Sequence, residues 1–478
     1  MATPARDLRR GTVVRYAVGS VGTGGFGTLP GLVLLIYMTN TLGVSPAFAG
    51  AAFTISKIWD VIIDPWIGAR SDRSLARTGA RRRFMVLGAI LLPVFFVLTF
   101  AVPPGLPPLL SAAWVLVAFL LAATAFSLFQ VPYIALPAEL VDSYDARTRL
   151  LSARVIVLTL AILAFGGGAP EIIALVVDNG GTEYLGYLAM AAVAGLVFLV
   201  AFLIASTVER SARVDRTPTA PGSDPIEGIA APKTGMFMHF RRGWSAVRDS
   251  QPYRALLFTF VLQALAIGLM LAGVAYVAAD VLHLEGTLFL FLSLIAPAML
   301  VTPLWSVISR RIGKERAFRL ATVLFGLAAL SLVLLVWFPG LWLYGPVALA
   351  GAAYAGLQSL PLAMLPDTVA YDAETHGPGR AGTFSGVWTA GETAGLAFGG
   401  TILSIVLAVT GFIPTVADQT VTQPASAIVG IILGFSVIPA LLMFVSLISL
   451  ARYPLRKADI DRLVRHADAP PPSAAPVA

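Results

Sequence analysis

The chain contains no cysteine in 478 residues, which excludes disulfides, thiolate metal sites and cysteine nucleophiles. Its four histidines are scattered and form no metal-binding spacing. Charge is scarce as well, at 12% of residues against 57% hydrophobic. The mean hydropathy of +0.83 lies far outside the soluble globular range. The N-terminal MATPARDLRR is polar and runs straight into the first apolar stretch with no small-residue cleavage site, so no removable signal peptide is read.

What the chain has in quantity is apolar runs long enough to cross a bilayer. They fall near 13–39, 47–69, 84–102, 110–136, 155–177, 184–207, 255–279, 286–308, 318–338, 342–365, 383–409 and 427–450, which predicts an all-α membrane protein of twelve transmembrane helices. Lys and Arg, Lys57 excepted, lie in the N-terminal tail, the even-to-odd connections with their adjoining helix ends, or the C-terminal tail. The opposite connections have none. Short basic loops stay in the cytoplasm, so both termini are expected there, in a cell inner membrane. The net charge of +7 fits anionic lipid at the inner leaflet and, being spread over short loops, does not point to nucleic acid.

The longest polar interruption contains TPTAPGSDP and ends in MFMHFRRGWSAVRDS, which mixes aromatics with arginines like an interfacial helix. It divides the chain into a six-helix bundle over 1–208, a linker over 209–252 and a second bundle over 253–451. The remaining 452–478 is a Pro/Ala-rich tail read as partly disordered. Internal repetition relates the bundles: Pro65, Ser71 and Arg73 recur with the same spacing as Pro303, Ser309 and Arg311, and ALPAELVDSYDART is echoed by AMLPDTVAYDAET. Two pseudo-symmetric six-helix halves imply a central site and alternating access. In this register Asp60 and Asp64 correspond to Ala298 and Thr302, so only the first half carries paired carboxylates.

Lys57, Asp60, Asp64 and Gly68 fall within about 80° of one another on the second helix. Charge in mid-bilayer costs at least about 2.5 kcal/mol per group and is normally kept for ion or substrate handling. Two carboxylates one turn apart repel unless a cation or proton joins them, so Asp60 and Asp64 are a candidate coupling-ion site. Ser127 is a possible third oxygen. The alternative is a structural bridge in which Lys57 neutralises one acid. Glu392, with Trp388 one turn earlier and Thr393 beside it, could bind substrate, carry a proton, pair with Lys57 or simply hold a neighbouring helix.

Gln130, before an expected break at Pro132–Tyr133, and Gln358, near Pro361, could orient a polar ligand. Glu171 is read as local structure. Asp72, Arg73, Glu139, Asp142, Asp145, Arg147, Asp367, Asp372 and Glu374, at the basic helix ends, are candidates for a cytoplasmic gate or else a solvated charge cluster. GSVGTGGFG has no strand before it and no GK[ST] after it, so its glycines are read as close helix packing, not a phosphate loop. No enzymatic signal stands out.

KIWDVIIDPWIGARSDRSLARTGARRRF, PYIALPAELVDSYDARTRL and MLPDTVAYDAETHGPGRAGTFSG resemble the glycoside-pentoside-hexuronide:cation symporter family over nearly the whole chain. The resemblance implies a major facilitator fold and symport driven by sodium, proton or lithium. It matches Asp60 and Asp64 to the family's cation carboxylates, Lys57 to its helix-two basic residue, Ser127 to its fourth-helix hydroxyl, and Arg154 to the arginine opening helix five. The sugar-binding half of the pattern departs. Thr23 and Gly24 stand where a sugar-transporting member has a lysine–aspartate pair, Gln130 replaces an aspartate, and Thr393 replaces a lysine. Sodium-dependent lysophospholipid symporters share this branch.

The expectation is a non-enzymatic, monomeric, cofactor-free symporter of a small organic solute, a sugar or glycoside, coupled to sodium or proton. Thr23, Lys57, Gln130, Arg154, Trp388, Glu392 and Thr393 would border the substrate. A lysophospholipid or other amphiphile carrier is the alternative. A non-transporting sensor or scaffold is remote, since no sizeable output domain accompanies the helices.

Overall fold

The computed structural model describes residues 10–78, 80–140, 144–208, 247–284, 286–376, 381–416 and 421–456. The bulk of the expected linker and tail falls outside them. Among the described residues, twelve helical segments are long and apolar enough to cross a membrane. A bilayer offers the backbone no water, so each apolar run must satisfy its own N–H and C=O groups, and helix is the form that does so within one segment.

The first six spans are built on α1 (Arg10–Leu29), α2 (Pro46–Thr78), α3 (Arg82–Phe100), α4 (Pro108–Leu140), α5 (Tyr144–Asp178) and α6 (Glu183–Ser206). The last six are built on α7 (Gln251–Tyr276), α8 (Leu288–Ile312), α9 (Lys314–Ser331), α10 (Tyr344–His376), α11 (Ala381–Val409), and the pair α12 (Ala425–Phe435) and α13 (Val437–Ala451), which share one span. Packing repeats between the halves. α1 lies against α5 and α6 as α7 lies against α11 and α13; α3 lies against α4 and α6 as α9 lies against α10 and α13. The halves meet along two related seams, α2 with α11 and α5 with α8, and where the α1 extension Pro30–Leu34 lies against α7.

The repeat extends to backbone detail. α1 and α7 each run on into a wider turn with i→i+5 bonding, Tyr37–Thr41 and Val277–Val281. Each turn closes with the same two bonds: Leu42 N to Tyr37 O and Val44 N to Met38 O in one, Leu282 N to Val277 O and Leu284 N to Ala278 O in the other. Each then reverses through a left-handed residue, Gly43 at φ 65° and His283 at φ 51°. Glycine takes that conformation freely, whereas a histidine there is uncommon.

Proline does not break α4. The helix continues through Pro132 and Pro137 to Leu140, which corrects the expected interruption at Pro132–Tyr133. Partners outside the helix anchor the following residue: the Tyr133 hydroxyl donates to Tyr16 O at 2.8 Å and lies 2.9 Å from Ser20 Oγ. Pro361 is likewise inside a continuous α10.

The first half is cored by aromatic rings. Phe129 stacks on Phe202 at 3.6 Å between centroids, and Phe26 contacts Phe96, Phe119, Phe126 and Phe198. In the second half, a Cβ on Gly268 would sit 2.2 Å from the Leu396 carbonyl oxygen, so α7 and α11 cross almost backbone to backbone.

Candidate functional site

Helical register brings Lys57, Asp60 and Asp64 onto one side of α2. Lys57 Nζ lies 3.4 Å from Asp60 Oδ2, both side chains half-buried. This pairing within α2 replaces the alternative of a Lys57–Glu392 bridge. Asp64 has no cationic partner among the described residues, and its Oδ1 is buried without a hydrogen-bond partner. The Ser127 hydroxyl of α4 is directed at the Asp64 carboxylate. One turn earlier on α4, Thr124 accepts a 2.8 Å hydrogen bond from Trp59 Nε1, which fixes the register between the two helices.

The cluster therefore offers two carboxylates and a hydroxyl, with one lysine to balance two acids. Among the described residues no group of three or more His, Cys, Asp or Glu gathers anywhere. An all-oxygen set of this kind suits a hard monovalent cation or a proton, not a transition metal.

A second group lies between α1, α4 and α5. Thr23 donates to Gln130 Oε1 at 2.9 Å, and Tyr16 stacks on Tyr133 at 4.6 Å. The Arg154 guanidinium sits over the Tyr133 ring at 5.6 Å, with its Nε buried and unpartnered. Thr23, Gln130 and Arg154 are thus brought together, around Tyr16, Ser20 and Tyr133. The sequence carries no separate signal for Tyr16 or Ser20, which look like ordinary helix residues until α4 packs against them.

The third group is on α10 and α11. Trp388 is buried, stacked on Phe260 at 4.1 Å, and its indole N–H has no acceptor. Gln358 Nε2 donates to the Tyr354 hydroxyl at 2.6 Å, and Glu392 lies within electrostatic reach of Tyr354. Glu392 makes no ion pair or hydrogen bond among the described residues, and Thr393, half-buried beside it, shows no contact that would assign it a role.

The expected gate residues are only partly described. Asp72, Glu139, Asp142, Asp145 and Arg147 have side chains outside the described set. Arg73 is exposed and donates its Nε to Ala69 O of its own helix. Asp367 pairs with Lys314 at 2.6 Å, both in the second half, so it bridges α10 to α9 and not one half to the other.

Hydrogen bonds that join the halves among the described residues lie toward the membrane face remote from the arginine-rich loops. Thr39 and Tyr276 hydroxyls are 2.7 Å apart, Thr54 and Thr401 hydroxyls 2.5 Å. Thr415 binds Thr39 O through its N–H and Asn40 O through its hydroxyl. Thr287 donates to Gly166 O, and Glu171 accepts from the Leu288 N–H at the start of α8. Glu171 is accordingly a contact between halves, not the local feature expected. No ion pair crosses the seam among the described residues.

A sequence model described as MFS/sugar transport protein matches residues 15–457. The chain belongs to that family. It is therefore a multi-pass membrane transporter of the major facilitator fold. Family relatives include the glucuronide carrier protein homolog of Escherichia coli (strain K12), 25% identical over 472 residues covering 96% of this chain and 95% of that one. They also include the sphingosine-1-phosphate transporter MFSD2B of Xenopus tropicalis, 24% identical over 490 residues, with 95% and 90% covered. Among solved structures, a proton-dependent oligopeptide transporter aligns with a TM-score of 0.63 at 13% identity over 95% of this chain and 99% of that one, a likeness of fold.

Proposed function

We propose that this chain is a cation-coupled symporter that carries a small polar solute, a sugar or glycoside, across the cell inner membrane by alternating access, with both termini cytoplasmic. The observation that carries the reading is the pairing of Asp60 and Asp64 on one face of α2 with a single lysine and the Ser127 hydroxyl. That site is one positive charge short of neutrality, and a sodium ion or a proton completes it. Membership of a sugar-transport family and the glucuronide carrier relative support the solute class.

Coupling has a physical route. α2 bears the acids and, toward the remote end, Thr54; α11 bears Trp388 and Glu392 and, toward the same end, Thr401, to which Thr54 is bonded. Ion binding on α2 thus acts on a helix fastened to the one that faces the solute. With basic loops in the cytoplasm, the bonded seam is extracellular and the conformation is closed to the outside. Thr23, Gln130 and Arg154 would meet the solute from the first half, and Trp388 and Glu392 from the second. Asp72, Arg73, Glu139, Asp142 and Arg147 would close the opposite end in the alternate state.

The test is uptake into proteoliposomes under an imposed sodium or proton gradient, comparing wild type with Asp60→Asn and Asp64→Asn. Accumulation that survives both substitutions overturns the ion assignment. An amphiphile as solute has one specific support, the sphingosine-1-phosphate transporter among the relatives. Thermal stabilisation by lysolipids and by no glycoside, with or without sodium, would establish it in place of the sugar.

A further inference from the structure

The arginine-rich end of α2 holds a groove outside the ion and solute clusters. Arg70, Arg73, Arg77 and Arg83 line a groove of about 430 Å³ where α2 meets the start of α3, together with Phe84 and Leu87. All four arginines are exposed, and no carboxylate is among the described side chains lining the groove. The Arg70 guanidinium carbon sits 3.5 Å from the centre of the Trp66 ring, which holds one guanidinium at the groove's mouth.

The groove continues into hydrocarbon. Exposed Ile55, Ile58, Ile62 and Trp66 recur along the α2 face that ends in Arg70, Arg73 and Arg77. By helical register this face lies, on average, roughly 140° or more round α2 from the Lys57–Asp60–Asp64 stripe. On α3, exposed Leu87, Ile90 and Val94 extend the apolar wall from the groove toward the middle of the span. A run of about 20 residues spans the hydrocarbon, so Arg70, well past that length from Pro46, sits at the headgroup level. Apolar rows that terminate in a ring of guanidinium groups match a molecule with acyl chains and a phosphate head, and arginine's forked donors suit phosphate oxygens.

We propose that this groove is a binding site for one anionic phospholipid, its phosphate held by Arg70, Arg77 and Arg83 and its chains lying on the α2 and α3 rows. The site is separate from the ion and solute clusters and independent of which solute is carried. A lipid here would brace α2 against α3 from the membrane side and thereby bias the helix that bears Asp60 and Asp64.

The experiment uses full-length protein stripped of lipid in neutral detergent and titrated with phosphatidylglycerol, phosphatidylcholine or inorganic phosphate. Bound lipid is counted by native mass spectrometry and stability followed by the thermal midpoint. Phosphatidylglycerol is expected to bind one-to-one and raise the midpoint by about 3–5 °C, as a ligand of the folded state must. Arg70→Gln/Arg77→Gln/Arg83→Gln should weaken that binding at least about fivefold, while Arg310→Gln/Arg311→Gln, two exposed arginines of α8 on the same membrane side, should not.

Equal protection by phosphatidylcholine overturns the proposal. So does protection by inorganic phosphate at the same phosphate concentration, which marks a free-anion site, and so does equal loss in the α8 control, which marks diffuse surface charge. Should the triple glutamine variant lack a cooperative midpoint of its own, Arg83→Gln alone decides: binding weakened about twofold or more supports the site, and unchanged binding removes it.

Discussion

Asn40 and Asp280 occupy the same place in the two repeats, 240 positions apart, each in the last turn of its widened helix end, and they face each other across the seam. The Asn40 amide is directed at the Asp280 carboxylate, of which Oδ2 is buried without a hydrogen-bond partner. Symmetry-related positions meet only near the pseudo-twofold axis, so this contact stands close to the centre of the closed seam. Thr39–Tyr276 lies beside it.

Removing that contact should favour opening. A polar contact of this kind is worth about 0.5–1.5 kcal/mol, so Asn40→Ala should raise the open population about two- to tenfold. With no native cysteine to remove, spin labels at Pro104→Cys and Thr422→Cys, both exposed on the seam side, report the change by pulsed electron resonance. Distances should lengthen by several ångströms in the variant; an unaltered distribution would show the contact to be incidental.

Ser127→Ala isolates the hydroxyl of the proposed ion site. Loss of one neutral ligand worth about 1 kcal/mol weakens ion affinity roughly fivefold. Solute affinity measured without the ion should stay unchanged. Calorimetric titration separates the two, and a parallel loss of both affinities would place Ser127 in general packing.

Thr23→Val leaves Gln130 Oε1 without its donor while keeping the side-chain shape. If Gln130 orients the solute, its dissociation constant should rise about tenfold, the effect of freeing one buried amide. Arg154→Lys should fail to restore a loss caused by Arg154→Gln, because lysine cannot reproduce the planar face over Tyr133. Equilibrium binding in detergent reads both.

Gly268→Val tests the α7–α11 crossing. A branched side chain beside the Leu396 carbonyl must force the facing backbones apart, at a cost of about 3 kcal/mol or more. The thermal midpoint and folded yield should fall together. A fall in transport with stability intact would mean that the crossing serves movement and not assembly.

Hydropathy alone made the twelve spans legible, since each is an apolar run bounded by turn residues or charge. Asp60 and Asp64 were legible too, because acid within such a run is costly wherever it points. Asn40 and Asp280 were not: at a span's end a polar residue looks like any loop residue, and only tertiary packing brings the two ends together. Pro132 misled for a related reason. Its local preference for a break is overcome by the Tyr133 hydroxyl, whose bonds to Tyr16 and Ser20 reach another helix.

Voltage gives the single lysine beside two carboxylates a further meaning. With the central groups ionised, Lys57, Asp60, Asp64, Arg154 and Glu392 sum to one negative charge, and a bound monovalent cation cancels it. In the proposed symport the loaded carrier would then reorient almost indifferent to the membrane field, whereas the empty carrier would move a charge worth up to about 2.3 kcal/mol per 100 mV. A potential negative inside would therefore act on the return stroke, driving the vacant site outward to collect its next ion.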